Sequence, residues 1–167
     1  METGLSLGSN LGDRLANLAE AGRLIGAIPG THILARSAVY ETEPVGVKDE
    51  YRELRFLNAV LIADTSQSVH EWFDSLRRSE DAMGRRRGID RYAPREIDID
   101  LIYFGTELVQ SGGLTIPHPH WHERRFVVQP LADVRPDLVL PHTDKPVRDI
   151  LAQLPQAQAV AVFARNW

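Results

Sequence analysis

Five arginines, Arg85, Arg86, Arg87, Arg91 and Arg95, crowd into eleven residues that hold one acid, Asp90, and two aspartates, Asp98 and Asp100, follow at once. Gly88, Ala93 and Pro94 make the arginine stretch a loop rather than a helix. Such a loop can fold around an anion, because guanidinium groups grip phosphate oxygens two at a time. Residues 97–104 are rich in β-branched and aromatic side chains and close on Gly105, which predicts a strand. On a strand Asp98 and Asp100 share one face about 6.5 Å apart. Their oxygens can then hold one Mg²⁺ or two adjacent ions, with water completing the shell. Ile102 and Phe104 are expected to continue the same face with apolar groups, leaving the acids at the strand's open end. Polyphosphate plus metal is the economical reading, since Mg²⁺ bridges phosphates and neutralises charge during phosphoryl transfer. The alternatives are a solvated basic loop and two solvated acids on an edge strand.

The elements that must position these groups follow from periodicity and punctuation. Residues 3–8 read as a strand that turns through Gly8-Ser9-Asn10-Leu11-Gly12-Asp13 into a helix over 14–27, with Leu11, Leu15, Leu18, Gly22 and Ile25 on its buried face. That glycine-rich step lacks the lysine of a phosphate loop and the three glycines of a dinucleotide turn, so it is a tight structural turn. A second strand is expected over 33–40, an exposed polar loop from Glu41 to Arg55, and a third strand over 56–63. Phe56, Asn58, Val60 and Ile62 share a face of that third strand, where the Asn58 amide is either satisfied by backbone or aimed at a ligand.

A helix over 68–83 ends beside the arginine loop with Glu80, an acid that orients an arginine, meets a ligand, or is merely solvated. After the aspartate strand, Gly105-Thr106 is expected to turn the chain back into a hairpin over 107–110. His118, His120 and His122 alternate, but Pro117 and Pro119 break strand pairing and no cysteine supplements them, so polar contact with a nucleotide by His118 is favoured over zinc. A short helix carrying Arg124 and Phe126, a helix over 147–154 behind Pro146 and a last strand over 159–163 complete the chain.

At 167 residues the chain suits one domain, 1–167, with a substantial core. No segment approaches the ~20 apolar residues of a membrane span. No signal-like start and no cysteine are present, which fits a cytoplasmic enzyme. The net charge is −4, but outside Arg85 to Arg95 the chain carries 14 basic against 22 acidic residues, or −8. Positive charge focused in one place suits a compact anion such as a nucleotide better than nucleic acid, which favours a broad basic surface.

Assembled, these segments resemble the 6-hydroxymethyl-7,8-dihydropterin pyrophosphokinase family over nearly the whole chain. The resemblance rests on Leu7-Gly8-Ser9-Asn10-Leu11-Gly12, Tyr40-Glu41-Thr42-Glu43-Pro44-Val45-Gly46, Phe56-Leu57-Asn58-Ala59, Ile116-Pro117-His118 and, most specifically, Arg91-Tyr92-Ala93-Pro94-Arg95-Glu96-Ile97-Asp98-Ile99-Asp100-Leu101. It implies an α+β, ferredoxin-like fold in one α/β/α layered domain, with an antiparallel sheet flanked by helices. It implies a transferase that moves diphosphate from ATP to the pterin alcohol in folate biosynthesis, and it leans towards a monomer.

Carried over residue by residue, the resemblance implies that Asp98 and Asp100 bind two Mg²⁺ ions and act in catalysis with Arg85 and Arg95. It assigns ATP to Glu80, Arg87, Arg91, Ile99, Thr115, His118 and Arg124. The pterin falls to Thr42, Val45, Phe56, Asn58, Tyr92 and Phe126, with the Phe56 and Phe126 rings as the walls of a slot for a flat heterocycle. The chain departs from the common family pattern at Tyr92, where tryptophan is frequent, at Glu43, where proline is frequent, and at Phe56, where tyrosine is frequent. The rings are kept, whereas Glu43 sets a charge near the substrate. The rival readings are another Mg²⁺-dependent phosphoryl or nucleotidyl transferase and a non-catalytic ATP sensor.

Overall fold

The computed structural model describes residues 1–44, 48, 51–85, 93–156 and 160–167. Strand β1 (Glu2–Ser9) alternates Leu5 and Leu7 on one face with Gly4, Ser6 and Gly8 on the other. Helix α1 (Arg14–Gly26) follows, its first turn closed by Asp13, whose Oδ1 accepts the Ala16 N–H at 3.1 Å. Leu18, Ala21, Gly22 and Ile25 form its buried face, while Leu11 precedes the helix and is exposed.

The expected strand over 33–40 is two strands, β2 (Thr31–Arg36) and β3 (Val39–Thr42), both paired with β4 (Phe56–Thr65). At the break the Ser37 hydroxyl accepts the Val60 N–H at 2.8 Å and the Ser37 N–H donates to the Val60 carbonyl at 2.9 Å. A side chain replaces one rung of the ladder, so the strand is interrupted without orphaning a buried amide. β3 also runs further than expected: Glu41 and Thr42, read as the start of a loop, pair with Leu57 and Phe56.

Helix α2 (Val69–Ala82) opens with a reciprocal box in which Ser68 and Glu71 each satisfy the other's backbone. Its fully buried Trp72 is the largest side chain of that layer, and truncating it to alanine would cost about 3–5 kcal/mol. Strand β5 (Asp98–Phe104) carries the aspartates. The predicted hairpin after it takes a different partner. β6 (Val109–Ser111) pairs with β7 (Leu114–Ile116), not with β5, because Gly112 and Gly113 both adopt positive φ, 60° and 78°, and close a two-residue turn. A short 3₁₀ turn at Trp121–Glu123, helix α3 (Arg125–Val134), helix α4 (Val147–Gln153) and strand β8 (Val160–Ala164) complete the order.

The main sheet runs β5-β1-β4-β3-β8, with β2 also on β4, and its pairings are antiparallel. With β2 and β3 taken as one interrupted strand, β5-β1-β4-β3 is the ferredoxin-like order. Helices α1 and α2 cover one face through Leu5, Leu7, Leu57, Leu61, Ile99 and Leu101. The opposite face packs Val60, Ile62, Ile102 and Tyr103 against Val127, Val128, Leu131 and Val147 of α3 and α4. Three layers result.

The aspartate strand departs from strict alternation. Gly4 pairs with Tyr103 and Leu5 with Leu101, so Ile102 is an extra residue in β5. The bulge turns Ile102 and Tyr103 to the α3 side and sends Phe104 under α1 and α2, so Phe104 does not share the aspartates' face. Among the described residues, no helix is long and apolar enough to cross a membrane.

Candidate active site

The register of three strands builds the site. Gly8 of β1 pairs on one side with Asp98 of β5 and on the other with Asn58 of β4, and Asn58 pairs in turn with Tyr40 of β3. Residues directly opposite in an antiparallel ladder project to the same face, so this row lies on the α3 side. The next row sets Ser6 between Asp100 and Val60. Small residues on β1 therefore leave a trough between an amide and a pair of carboxylates. A methyl group on Gly8 would stand 3.2 Å from Asn58 Oδ1 and 3.8 Å from the Phe56 ring.

Asn58 is buried, and its Nδ2 donates to Thr42 Oγ1 at 2.7 Å. The amide is thus satisfied by a side chain of the neighbouring strand β3 rather than by backbone, and it turns its oxygen towards Gly8. Thr42 and Phe56 pair directly beside it. Phe126 lies in the first turn of α3, with the Arg124 guanidinium 5.9 Å from its ring centre.

Charge gathers at the other side of the trough. Asp98 accepts from Arg85 and forms an ion pair with Arg95 Nη1 at 3.2 Å. The Arg85 guanidinium also binds Glu80, whose Oε1 accepts the Ile99 N–H at 2.8 Å. Glu80 is buried at the end of α2 and is thus an orienting acid, tying the Arg85 guanidinium to the backbone between the two aspartates. Burial, reinforced by the Asp98 charge and partly opposed by Arg124, pushes the Asp100 carboxyl up to about 7. Two carboxylates on one strand face therefore repel.

His118 closes this end. Its N–H donates to the Ile102 carbonyl at 2.8 Å, and its Nδ1 accepts the His120 N–H at 3.2 Å, which leaves the proton on Nε2. Burial, then the nearby Arg124, pushes the imidazole down to about 4, so it is neutral at physiological pH. Thr115 is exposed on β7. Among the predicted residues, Val45, Arg87, Arg91 and Tyr92 lie outside the described residues.

Sequence reasoning overlooked Asn10. Its Oδ1 accepts the Arg95 N–H at 2.9 Å and its own N–H donates to the Arg95 carbonyl at 3.2 Å, so a buried asparagine imitates a strand partner and fixes the backbone beside Asp98. It also overlooked the alternation of Gly4, Ser6 and Gly8 with Leu5 and Leu7, the signal that one face of β1 is kept clear.

Among the described residues no three His, Asp or Glu side chains gather at metal-binding spacing. Asp98 and Asp100 would need oxygen from a bound phosphate and water to complete a magnesium shell. A cavity of about 330 Å³ lies by His122, Lys145 and Leu154 and is lined by neither aspartate. The charged groups around Asp98 and Asp100 mark the trough as the site.

Known proteins resemble this chain in sequence and in fold. A relative from Haemophilus influenzae, named 2-amino-4-hydroxy-6-hydroxymethyldihydropteridine pyrophosphokinase, is 36% identical over 83% of this chain and 84% of its own. One of the same name from Methylorubrum extorquens is 41% identical over 90% of this chain and 91% of its own. The mitochondrial folate synthesis bifunctional protein of Pisum sativum is 45% identical over 80% of this chain, which spans 25% of that longer protein. A crystal structure of Plasmodium falciparum HPPK-DHPS superposes with a TM-score of 0.71 at 14% identity, covering 91% of this chain and 45% of that one, and supports the fold. Residues 4–136, which hold β1, the aspartate strand and the trough between them, match the 7,8-dihydro-6-hydroxymethylpterin-pyrophosphokinase (HPPK) family, and the chain belongs to that family.

Proposed function

We propose that this chain transfers diphosphate from ATP to 6-hydroxymethyl-7,8-dihydropterin, giving AMP and the pterin diphosphate. The observation that carries the reading is the row Asp98, Gly8, Asn58, which sets a heterocycle-reading amide two strands from a carboxylate pair in a member of this family.

In the reaction the pterin hydroxymethyl oxygen bonds to the β-phosphorus of ATP. The bond from that phosphorus to the α,β-bridging oxygen breaks, AMP leaves, and the hydroxyl proton passes to solvent. Asn58 and Thr42 read the polar edge of the pterin, while Phe56 and Phe126 wall its faces, with Val45 and Tyr92 completing that subsite. Glu80, Ile99, Thr115, His118 and Arg124, together with Arg87 and Arg91, hold ATP. His118, being neutral, offers its Nε2–H as a donor without adding charge.

Magnesium fits the donor set, since both aspartates are hard oxygen ligands on one strand face and burial together with the Asp98 charge raises the Asp100 carboxyl. Asp98 and Asp100 would hold two Mg²⁺ ions, which supply neutralisation of the triphosphate charge. Arg85 and Arg95, preset beside Asp98, stabilise charge on the phosphoryl group in flight. Positioning and charge complementarity carry the chemistry, and no side chain is needed as a general base. One domain over 1–167, a monomeric state and a cytoplasmic location complete the reading.

Substitution of the aspartates tests it. Asp98→Ala and Asp100→Ala should each abolish AMP formation with circular dichroism unchanged, and a Mg²⁺-dependent, active Asp100→Ala enzyme would overturn the reading.

A further inference from the structure

Arg14 occupies the first turn of α1, where the helix dipole disfavours a cation. Helix stability does not account for it, but its contacts do. Its Nη1 lies 3.0 Å from Glu41 Oε1 and donates to the Arg55 carbonyl at 3.0 Å. The same guanidinium lies 5.8 Å from the centre of the Phe163 ring on β8. Glu41 uses its second oxygen for Arg55 Nη1 at 3.4 Å. One half-buried arginine thus gathers α1, the end of β3, the start of β4 and the edge strand β8.

The two residues it grips matter because of their chain neighbours. Glu41 immediately precedes Thr42 and Arg55 immediately precedes Phe56, and Thr42 and Phe56 are direct cross-strand partners. The chain leaves the sheet after Thr42 and re-enters it at Phe56, so this pair is the last rung of the β3–β4 ladder, and Thr42 is paired on its other edge with Val160 of β8. Arg14 holds it from below, on the α1 side, opposite the trough. A surface cavity of about 310 Å³, lined in part by Asn10, Arg14, Glu41 and Arg55, lies beside this knot.

We propose that Arg14 is a positioning residue for the pterin subsite: through Glu41 and the Arg55 carbonyl it sets the Thr42–Phe56 rung against which the heterocycle lies. It touches neither substrate nor the reacting atoms. The inference rests on the proposed pyrophosphokinase function, in which Thr42, Phe56 and Asn58 receive the pterin. Glu41 is held below the usual carboxylate range chiefly by its hydrogen bond to Arg14, which agrees with Arg14 as the centre of the knot.

The test is a steady-state comparison of wild type, Arg14→Ala and Arg14→Lys, with each substrate varied in turn. Arg14→Ala should raise KM for the pterin roughly tenfold, as small displacements remote from the chemistry do, while KM for ATP and kcat stay within about twofold. Arg14→Lys, which keeps the charge but not the planar guanidinium, should recover part of the pterin KM. A parallel rise in both KM values, or a fall in kcat with Tm and no selective pterin effect, overturns the inference in favour of a general structural role, and an unchanged pterin KM overturns it outright. These results are read against a wild type that makes AMP and pterin diphosphate; a wild type that does not overturns the proposed function itself.

Discussion

Asn58 and Asp98 flank Gly8 in a single row across β4, β1 and β5. Two strand spacings place them about 10 Å apart, and nothing larger than a glycine stands between them. A bicyclic heterocycle anchored at Asn58, as proposed, would extend its substituent towards the carboxylates across the floor of the trough. The distance between recognition and chemistry is set by backbone hydrogen bonding, the stiffest spacing the fold offers.

Gly8→Ala tests that floor. The added methyl would lie 3.2 Å from Asn58 Oδ1 and touch the Phe56 ring, so the amide must shift at the proposed pterin subsite. KM for the pterin should rise about tenfold with KM for ATP unchanged, and Gly8→Val should be worse. Equal effects on both substrates would place the pterin elsewhere.

Asp100→Asn should separate stability from function. The Asp100 carboxyl ionises near 7 in the folded protein against 3.8 when unperturbed, so the folded state holds this proton more tightly than the unfolded chain. Stability without metal should consequently fall as pH rises from about 3.8 and level off above about 7. Removing the charge should raise the stability of the metal-free protein at about pH 8 by on the order of 2 kcal/mol while abolishing turnover. Denaturant unfolding in EDTA at pH 5 and pH 8 checks both the sign and the window. A destabilised Asp100→Asn protein at the higher pH would contradict the account.

Arg85→Ala removes the cation shared by Asp98 and the buried Glu80. Breaking the buried Arg85–Glu80 pair should lower stability by about 3 kcal/mol. The kcat should fall by roughly 10²-fold or more, with the Kd of ATP changed by less than about fivefold, because the donor is preset for charge that develops during transfer. Calorimetric ATP titration beside single-turnover kinetics separates the two quantities, and a loss confined to Kd would reassign Arg85 to ground-state binding.

Asn10→Ala breaks one of two bonds to the Arg95 backbone, whose side chain pairs with Asp98. A kcat reduced about tenfold with substrate KM values held is expected. Asn10→Asp keeps the acceptor oxygen and should restore most of the rate, whereas failure of that rescue would argue that the amide acts elsewhere.

Much of this site was legible in the sequence because strand period and side-chain chemistry are local properties. Asp98 and Asp100 share a face, Phe56, Asn58, Val60 and Ile62 alternate as expected, and Glu80 ends its helix beside Arg85. The face of Phe104 was not legible, since the bulge at Ile102 exists only in the pairing of β5 with β1. The break at Ser37 depends on Val60, more than twenty residues away along the chain. The β6–β7 hairpin did announce itself, in Gly112-Gly113, but a two-glycine turn shows that a hairpin forms more clearly than it shows which strands flank it. The Arg14 knot joins residues from four elements and has no local trace at all.

Product identity tests the central claim most directly. A phosphorus NMR time course of the purified protein with ATP and Mg²⁺, with and without 6-hydroxymethyl-7,8-dihydropterin, follows every phosphate at once. The account predicts that AMP and a pterin diphosphate appear together, one for one, only when the pterin is present. Appearance of ADP would make the protein a different kinase, and ATP that is bound but unchanged in the presence of the pterin would make it a sensor; either result contradicts the account.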